Sequence, residues 1–104
     1  MFNKDDKRRI YWLIDKYVEG TIDTTTFDDE YYASFDLGEH GDNLSDFERK
    51  VLGELSDVVA RFSEFASDHQ ECPGAFYTAE EVKQTAKEVK KKLADYWPPE
   101  LQNH

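Results

Sequence analysis

Apolar residues recur along the chain with the spacing of amphipathic helices. In the first segment, residues 5–19, they follow the i, i+3, i+4, i+7, i+8 pattern of a helix with one buried face. These positions are Ile10, Leu13, Ile14, Tyr17 and Val18. Asp5 or Asp6 can cap the start of this helix, and Gly20 stands where a terminating glycine is expected.

The second segment, residues 24–36, carries aromatic rings at helical spacing. Phe27, Tyr31 and Phe35 stand at i, i+4 and i+8, which predicts a helix with an aromatic face. Asp23 is the expected N-cap. The loop that follows, residues 36–44, is rich in Gly, Asp and Asn, and these residues break helices.

The third segment, residues 45–63, begins with a capping box formed by Ser45 and Glu48. The apolar stripe of this predicted helix is Phe47, Val51, Leu52, Leu55, Val58, Val59 and Phe62. The residues off the stripe, which are expected to face solvent or a partner, are Glu48, Glu54, Asp57 and Arg61.

The fourth segment, residues 79–97, begins with a second capping box, Thr78 with Glu81. Its stripe is Val82, Ala86, Val89, Leu93 and Tyr96 or Trp97. Two consecutive prolines, Pro98 and Pro99, are expected to stop this helix, because proline cannot continue one. The tail, residues 98–104, is expected to fray.

No segment alternates like a β-strand, so the pattern predicts an all-α protein. With 104 residues, the chain has the length of a single domain, residues 1–104. Four helices of this length fit an antiparallel up-and-down four-helix bundle. The two longer connections, 36–44 and 63–78, leave room for an irregular binding surface.

The negative charge is concentrated in the middle of the chain. Residues 20–81 carry sixteen acidic and three basic residues, whereas the flanking segments are slightly basic and the whole chain has a net charge of −10. A zone of one sign either attracts a basic partner or is a solvated acidic surface without one, and the charge alone leaves both interpretations open. It argues against direct binding of nucleic acid or of an anionic membrane. The single cysteine and the lack of a visible signal peptide or apolar span favour the cytoplasm.

Residues with catalytic or metal-binding chemistry are few. His69, Glu71 and Cys72 offer three ligand types within four residues, but a zinc site needs further ligands that the sequence does not supply elsewhere. Cys72 also lacks an evident group to orient a thiol nucleophile. We therefore expect no catalytic residue, cofactor or metal, and no enzyme. A small hydrolase or metal enzyme built on this cluster is the minor alternative.

Three aromatic residues, Phe65, Phe76 and Tyr77, lie in or beside the second long loop. Aromatic rings next to acidic residues are typical of an interface anchor within a charged rim. The same rings could equally pin the loop to the helices. The sequence leaves both interpretations open.

The order of these features resembles the colicin D immunity-like family over residues 10–93. The residues that carry the resemblance are Tyr17-Val-Glu-Gly-Thr-Ile-Asp23, Phe27, Asp29-Glu30-Tyr31, Leu44-Ser-Asp-Phe-Glu48, Leu55-Ser-Asp-Val-Val-Ala-Arg-Phe-Ser63, Asp68, Pro73-Gly74, Phe76-Tyr77 and Glu81-Val82. The family's fold is a four-helix antiparallel bundle, which agrees with the helix pattern. Its members act in bacterial self-protection, in bacteriocin or contact-dependent growth inhibition systems.

The resemblance implies an immunity protein that binds a cognate basic nuclease toxin, typically a tRNase, and blocks its active site. The acidic surface would imitate the phosphates of the substrate, in a 1:1 complex formed by a protein that is monomeric when free. The toxin-binding positions carried over are Asp57, Glu64, Asp68, Glu71 and Tyr77. The alternative is an acidic helical adaptor, or an antitoxin, for a basic protein that is not a nuclease.

Overall fold

Every regular element of the protein is helical in the part of the chain that the structure describes. The computed structural model describes residues 3, 6–38, 43–63, 65, 70–71, 74 and 76–101. The elements are α1 (Lys7–Glu19), α2 (Thr24–Tyr31), a π-helical turn (Tyr32–Asp36), α3 (Asp46–Ala60), α4 (Ala79–Lys92) and two 3-10 turns (Ala94–Tyr96 and Pro99–Leu101). The predicted all-α class, with four helices, is confirmed.

The predicted helix starts are confirmed, because each is fixed by local hydrogen bonds. The Asp6 carboxylate accepts from the Arg8 N–H at 2.9 Å, and Asp23 accepts from the Thr26 N–H at 2.8 Å. Reciprocal capping boxes begin the other two helices, α3 at Ser45 and α4 at Thr78. Gly20 ends α1 with a φ of 88°, a left-handed backbone conformation that residues other than glycine rarely adopt.

Helix α3 ends at Ala60, three residues before the predicted end. The chain instead forms a short parallel bridge between Phe62 and Tyr77. The Tyr77 N–H donates to the Arg61 carbonyl at 2.7 Å, and the Ser63 N–H donates to the Tyr77 carbonyl at 3.1 Å. These long-range bonds take the place of further helical bonds and hold the end of α3 beside the start of α4.

The prediction that the chain frays after Trp97 is wrong for residues 98–101. Leu101 is only 5% exposed and belongs to the hydrophobic core, and its N–H donates to the Pro98 carbonyl at 3.0 Å. The two prolines end the helix, but the segment after them stays ordered because the apolar side chains of Trp97 and Leu101 pack into the core. Residues 102–104 lie outside the described residues.

The core is built on stacked aromatic rings from α1 and α2. Tyr17 and Phe27 lie nearly parallel with their ring centroids 4.3 Å apart, and Tyr31 packs beside Phe27 at 5.3 Å. The buried Tyr31 hydroxyl donates to the Leu52 carbonyl on α3 at 2.7 Å. The aromatic face predicted for α2 therefore joins three helices, since large rings combine buried apolar area with a polar group that can be satisfied.

The expectation that Phe47 lies in the core is wrong, and of the two residues that could end the fourth stripe Trp97 is buried, whereas Tyr96 is not. Phe47 and Tyr96 are 44% and 42% exposed, and their ring centroids lie 5.5 Å apart, near the start of α3 and in the turn that follows α4. The next residue, Glu48, is buried instead, although the helix pattern placed it off the stripe. Its carboxylate turns inward because it caps Ser45 on one side and accepts from the Tyr11 hydroxyl on the other.

Candidate protein-binding surface

The surface predicted to bind a partner lies where α3 ends and α4 begins. The bridge between Phe62 and Tyr77 fixes the backbone there, and both rings are partly buried against the core. Tyr77 therefore pins the loop to the helices, which is one of the two roles that the sequence allowed. Because the ring is only half-buried, part of it stays accessible to solvent.

Two predicted acidic positions are described and exposed. Asp57 lies on the outer side of α3, about one turn before the helix ends, and Glu71 lies in the connection between α3 and α4. No hydrogen bond or ion pair joins Asp57, Glu71 and Tyr77 within the described residues. The other two predicted positions, Glu64 and Asp68, lie outside the described residues, as do His69 and Cys72.

Phe65 presents the most exposed large apolar side chain in the part of the chain that the structure describes. Its side chain is 62% exposed, while its backbone N–H donates to the hydroxyl of the buried Ser63 at 3.2 Å. The backbone N–H of Phe65 is therefore held in place while its ring faces solvent. Aromatic side chains in this situation are frequent anchors of protein interfaces.

We call the exposed residues at the end of α3, in the connection that follows and in the first turn of α4 the α3–α4 edge; they are Asp57, Arg61, Phe65, Glu71 and Glu80. Three carboxylates and one guanidinium give it an excess of negative charge. Glu80 lies in the first turn of α4, where the helix dipole favours an acidic side chain. The edge thus combines negative charge with one exposed ring.

The carboxylates of the α3–α4 edge differ from acidic residues elsewhere in the fold. Glu30 on α2 pairs with Arg9, and Glu54 on the exposed side of α3 pairs with Lys92 at 3.5 Å. In contrast, Asp57, Glu71 and Glu80 have no basic partner within 4.0 Å among the residues described.

A second group of acidic residues, on α2, is partly withdrawn from solvent. Burial, together with the charge of Asp29, raises the pKa of Asp28 above its ordinary value. Glu30 in the same turn is neutralised by Arg9. This group is consequently a weaker source of attraction for a basic partner than the α3–α4 edge.

The described residues contain no group of three His, Cys, Asp or Glu side chains able to hold a metal ion. Within the same residues, no helix has the length and apolar character needed to cross a membrane.

No protein family, curated protein or solved structure matches the chain. The resemblance to the colicin D immunity-like family is therefore carried only by the residues quoted above.

Phe65 was not among the predicted site positions, although it is the most exposed ring of the α3–α4 edge. The available signal was its place in a polar, acidic loop outside any apolar stripe. The same sequence context applies to Phe65, Phe76 and Tyr77, so the sequence could not show which of the three rings is exposed. Only the fold distinguishes them. Phe65 faces solvent, whereas Phe76 and Tyr77 are half-buried.

Proposed function

We propose that this protein is an immunity protein that binds a cognate basic nuclease toxin domain and blocks its active site. The observation that carries the proposal is the α3–α4 edge, where Asp57 and Glu71 have no counter-ion among the described residues and Phe65 presents an exposed ring. The resemblance to the colicin D immunity-like family gives the partner its class, a nuclease that cleaves tRNA.

The proposed mechanism is occlusion by charge complementarity. A nuclease that binds tRNA must present cations to the phosphates, so an acidic surface can occupy the same cleft. Asp57 and Glu71 would lie against these cations, and Phe65 would fill an apolar recess beside them. Glu64 and Asp68 belong to the same proposed surface through the resemblance.

Several further properties belong to this proposal. The protein acts in the cytoplasm, as a monomer that forms a 1:1 complex with the toxin. It has no catalytic activity of its own, uses no cofactor or metal, and binds neither nucleic acid nor membrane directly. The same mechanism of inhibition would protect the cell from a bacteriocin or from contact-dependent growth inhibition.

We also infer that the four helices form an antiparallel up-and-down bundle. Contacts between α1 and the C-terminal part of the chain support this arrangement: Tyr17 bonds Ala79, Asp15 bonds Lys90, and Tyr11 packs on Trp97. In these three contacts the residue numbers on α1 decrease while those in the C-terminal part of the chain increase. This is the pattern of two antiparallel neighbours. The short connection from Gly20 to Asp23 supports the same relation between α1 and α2.

The direct test expresses the C-terminal domain of whatever protein the gene just upstream encodes, and combines that domain with total tRNA and with this protein. We expect tRNA cleavage to stop when about one equivalent of the protein has been added. Cleavage that continues at a large excess would contradict the proposal. Co-purification with a basic protein that lacks nuclease activity would favour the adaptor alternative.

Charge reversal locates the contact. The double variant Asp57→Lys with Glu71→Lys is expected to weaken inhibition strongly, while the thermal midpoint stays unchanged because both side chains are exposed. The matched control is Asp29→Lys with Asp95→Lys, which makes the same change in net charge at exposed sites elsewhere. Equal loss in both variants would show that only the overall charge matters.

A further inference from the structure

A groove beside the C-terminal half of α4 has a chemistry unlike that of the rest of this acidic chain. It encloses about 680 Å³, within the range of small-molecule sites, roughly 300–1,000 Å³. Its apolar wall is formed by Val18, Ala94, Trp97 and Leu101. Its basic side is formed by Lys87, Lys90 and Lys91.

The apolar wall is fixed by the fold. The Trp97 indole donates to the buried Asp15 carboxylate at 2.9 Å, and its ring packs edge-on against Tyr11 at 4.7 Å. Leu101 is anchored in the hydrophobic core. A ligand would therefore meet a preformed surface, which lowers the cost of ordering on binding.

Two of the three lysines are available to a ligand. Lys90 is engaged, because its ammonium lies 2.7 Å from Asp15. Lys87 and Lys91 are exposed and one helical turn apart, so they lie on the same side of α4. The described residues supply no carboxylate within 4.0 Å of either ammonium group.

We propose that this groove binds an amphiphilic carboxylate, a molecule with a linear apolar body and one anionic head. The body would lie along Trp97 and Leu101, and the head would be held between Lys87 and Lys91. Charge complementarity selects this class, since two cations with no carboxylate partner among the described residues stand beside an apolar wall in a chain of net charge −10. The groove lies at the opposite end of α4 from Tyr77, so this inference is independent of the proposed toxin contact.

Decanoate, used below its micelle concentration, is a suitable probe. The chain has two tryptophans, so Trp12→Phe leaves Trp97 in the groove wall as the only indole reporter. We expect saturable quenching or a spectral shift of Trp97 fluorescence on titration with decanoate. Decanol, which lacks the charge, is expected to bind roughly tenfold more weakly.

Variants on α4 separate the groove from general electrostatics. Lys87→Met with Lys91→Met is expected to weaken decanoate binding roughly tenfold and to leave decanol binding unchanged. The control is Lys83→Met with Lys92→Met, which removes the same charge from α4 outside the groove and is expected to bind decanoate with an affinity close to the parent's. Ala94→Trp fills the groove and is expected to abolish binding of both probes.

Three outcomes would overturn the proposal. These are the absence of saturable binding of decanoate, equal affinity for decanoate and decanol, and equal loss in the two lysine variants. Binding of an acidic amphipathic peptide in the absence of decanoate binding would replace the small ligand with a protein partner. Circular dichroism of each variant confirms that the helices are intact, and the parent protein with the two probes tests the proposal without any substitution at the groove.

Discussion

The indole Nε1 of Trp97 donates a 2.9 Å hydrogen bond to Oδ2 of Asp15, a residue 82 positions earlier in the chain. Asp15 is only 2% exposed, and its other oxygen lies 2.7 Å from the ammonium of Lys90. One buried carboxylate thus joins α1 to α4 and to the turn that follows it. Oδ2 accepts the indole hydrogen bond, whereas Oδ1 accepts no hydrogen bond from the described residues and has the Lys90 ammonium as its counter-ion.

Removal of Lys90 is expected to destabilise the fold through Asp15. Lys90→Met leaves the buried carboxylate with the Trp97 hydrogen bond but without its cation, which should lower the free energy of unfolding by about 1–3 kcal/mol. The matched control is Lys91→Met, because Lys91 is exposed and has no acidic partner among the described residues. Urea denaturation measures both, and an equal effect would show that Asp15 does not depend on the ion pair.

The two capping boxes provide a test of burial at one kind of position. Glu48 and Glu81 occupy the same place in their boxes, but Glu48 is buried and also accepts from the Tyr11 hydroxyl. Glu81→Ala should cost about 0.5–1 kcal/mol of unfolding free energy, as expected for an exposed cap. Glu48→Ala should cost about 1–2 kcal/mol more, because it leaves the buried tyrosine hydroxyl without an acceptor. Thermal or urea unfolding gives the comparison.

The same glutamate makes stability depend on acid. Burial alone would raise the pKa of Glu48, but the hydrogen bonds from the Ser45 N–H and the Tyr11 hydroxyl, with the nearby Lys7 ammonium, lower it below its ordinary value. A carboxyl with a lowered pKa stabilises the folded state above its unfolded pKa of about 4.3 and loses this contribution as the pH falls through the folded value. The unfolding free energy of the parent protein should therefore approach that of Glu48→Gln between pH 6 and pH 3. If the difference in unfolding free energy between the two proteins stayed constant over this pH range, Glu48 would not be the source of the acid dependence.

Alkaline conditions are expected to destabilise the protein through its buried tyrosines. Burial, with the nearby Asp36 charge, raises the pKa of Tyr31 well above its ordinary value, and burial also raises the pKa of Tyr11 and Tyr17. Their neutral forms stabilise the fold fully below the unfolded pKa of about 10, and this contribution decreases as the pH rises above it. Unfolding free energies measured from pH 8 to pH 11 should fall, and less steeply in Tyr11→Phe. Equal slopes in the two proteins would exclude a contribution from Tyr11.

The sequence was most informative where the deciding contact is local. Ser45 and Glu48 stand three residues apart, and so do Thr78 and Glu81, so the helix starts could be predicted from spacing alone. The end of α3 could not, because it depends on backbone bonds to Tyr77, fifteen residues beyond Phe62.

Buried acidic residues were missed for the same physical reason. Asp15 and Glu48 carry charges that a helix pattern assigns to the solvent side. Their partners, Trp97 and Tyr11, lie 82 and 37 positions away in the chain. Only the fold brings these groups together, and it also decides which loop ring, Phe65 or Tyr77, stays exposed.

The proposed function makes Phe65 the side chain whose loss should separate binding from stability. Phe65→Ala removes a ring that is 62% exposed, so we expect the unfolding free energy to change by less than about 0.5 kcal/mol. If the ring anchors the toxin, its loss should make the binding free energy less favourable by about 1–3 kcal/mol, mainly through faster dissociation.

The matched control is Leu37→Ala, which removes another exposed apolar side chain, at the end of the π-helical turn that follows α2. Its affinity for the toxin should stay close to that of the parent protein, as measured by surface plasmon resonance with the immobilised nuclease domain. The association rate should fall with added salt in both variants, since Asp57 and Glu71 are retained and electrostatic steering does not need the ring. A Phe65→Ala protein that dissociates as slowly as Leu37→Ala would place the anchor elsewhere on the surface and leave the charges of the α3–α4 edge to account for recognition alone.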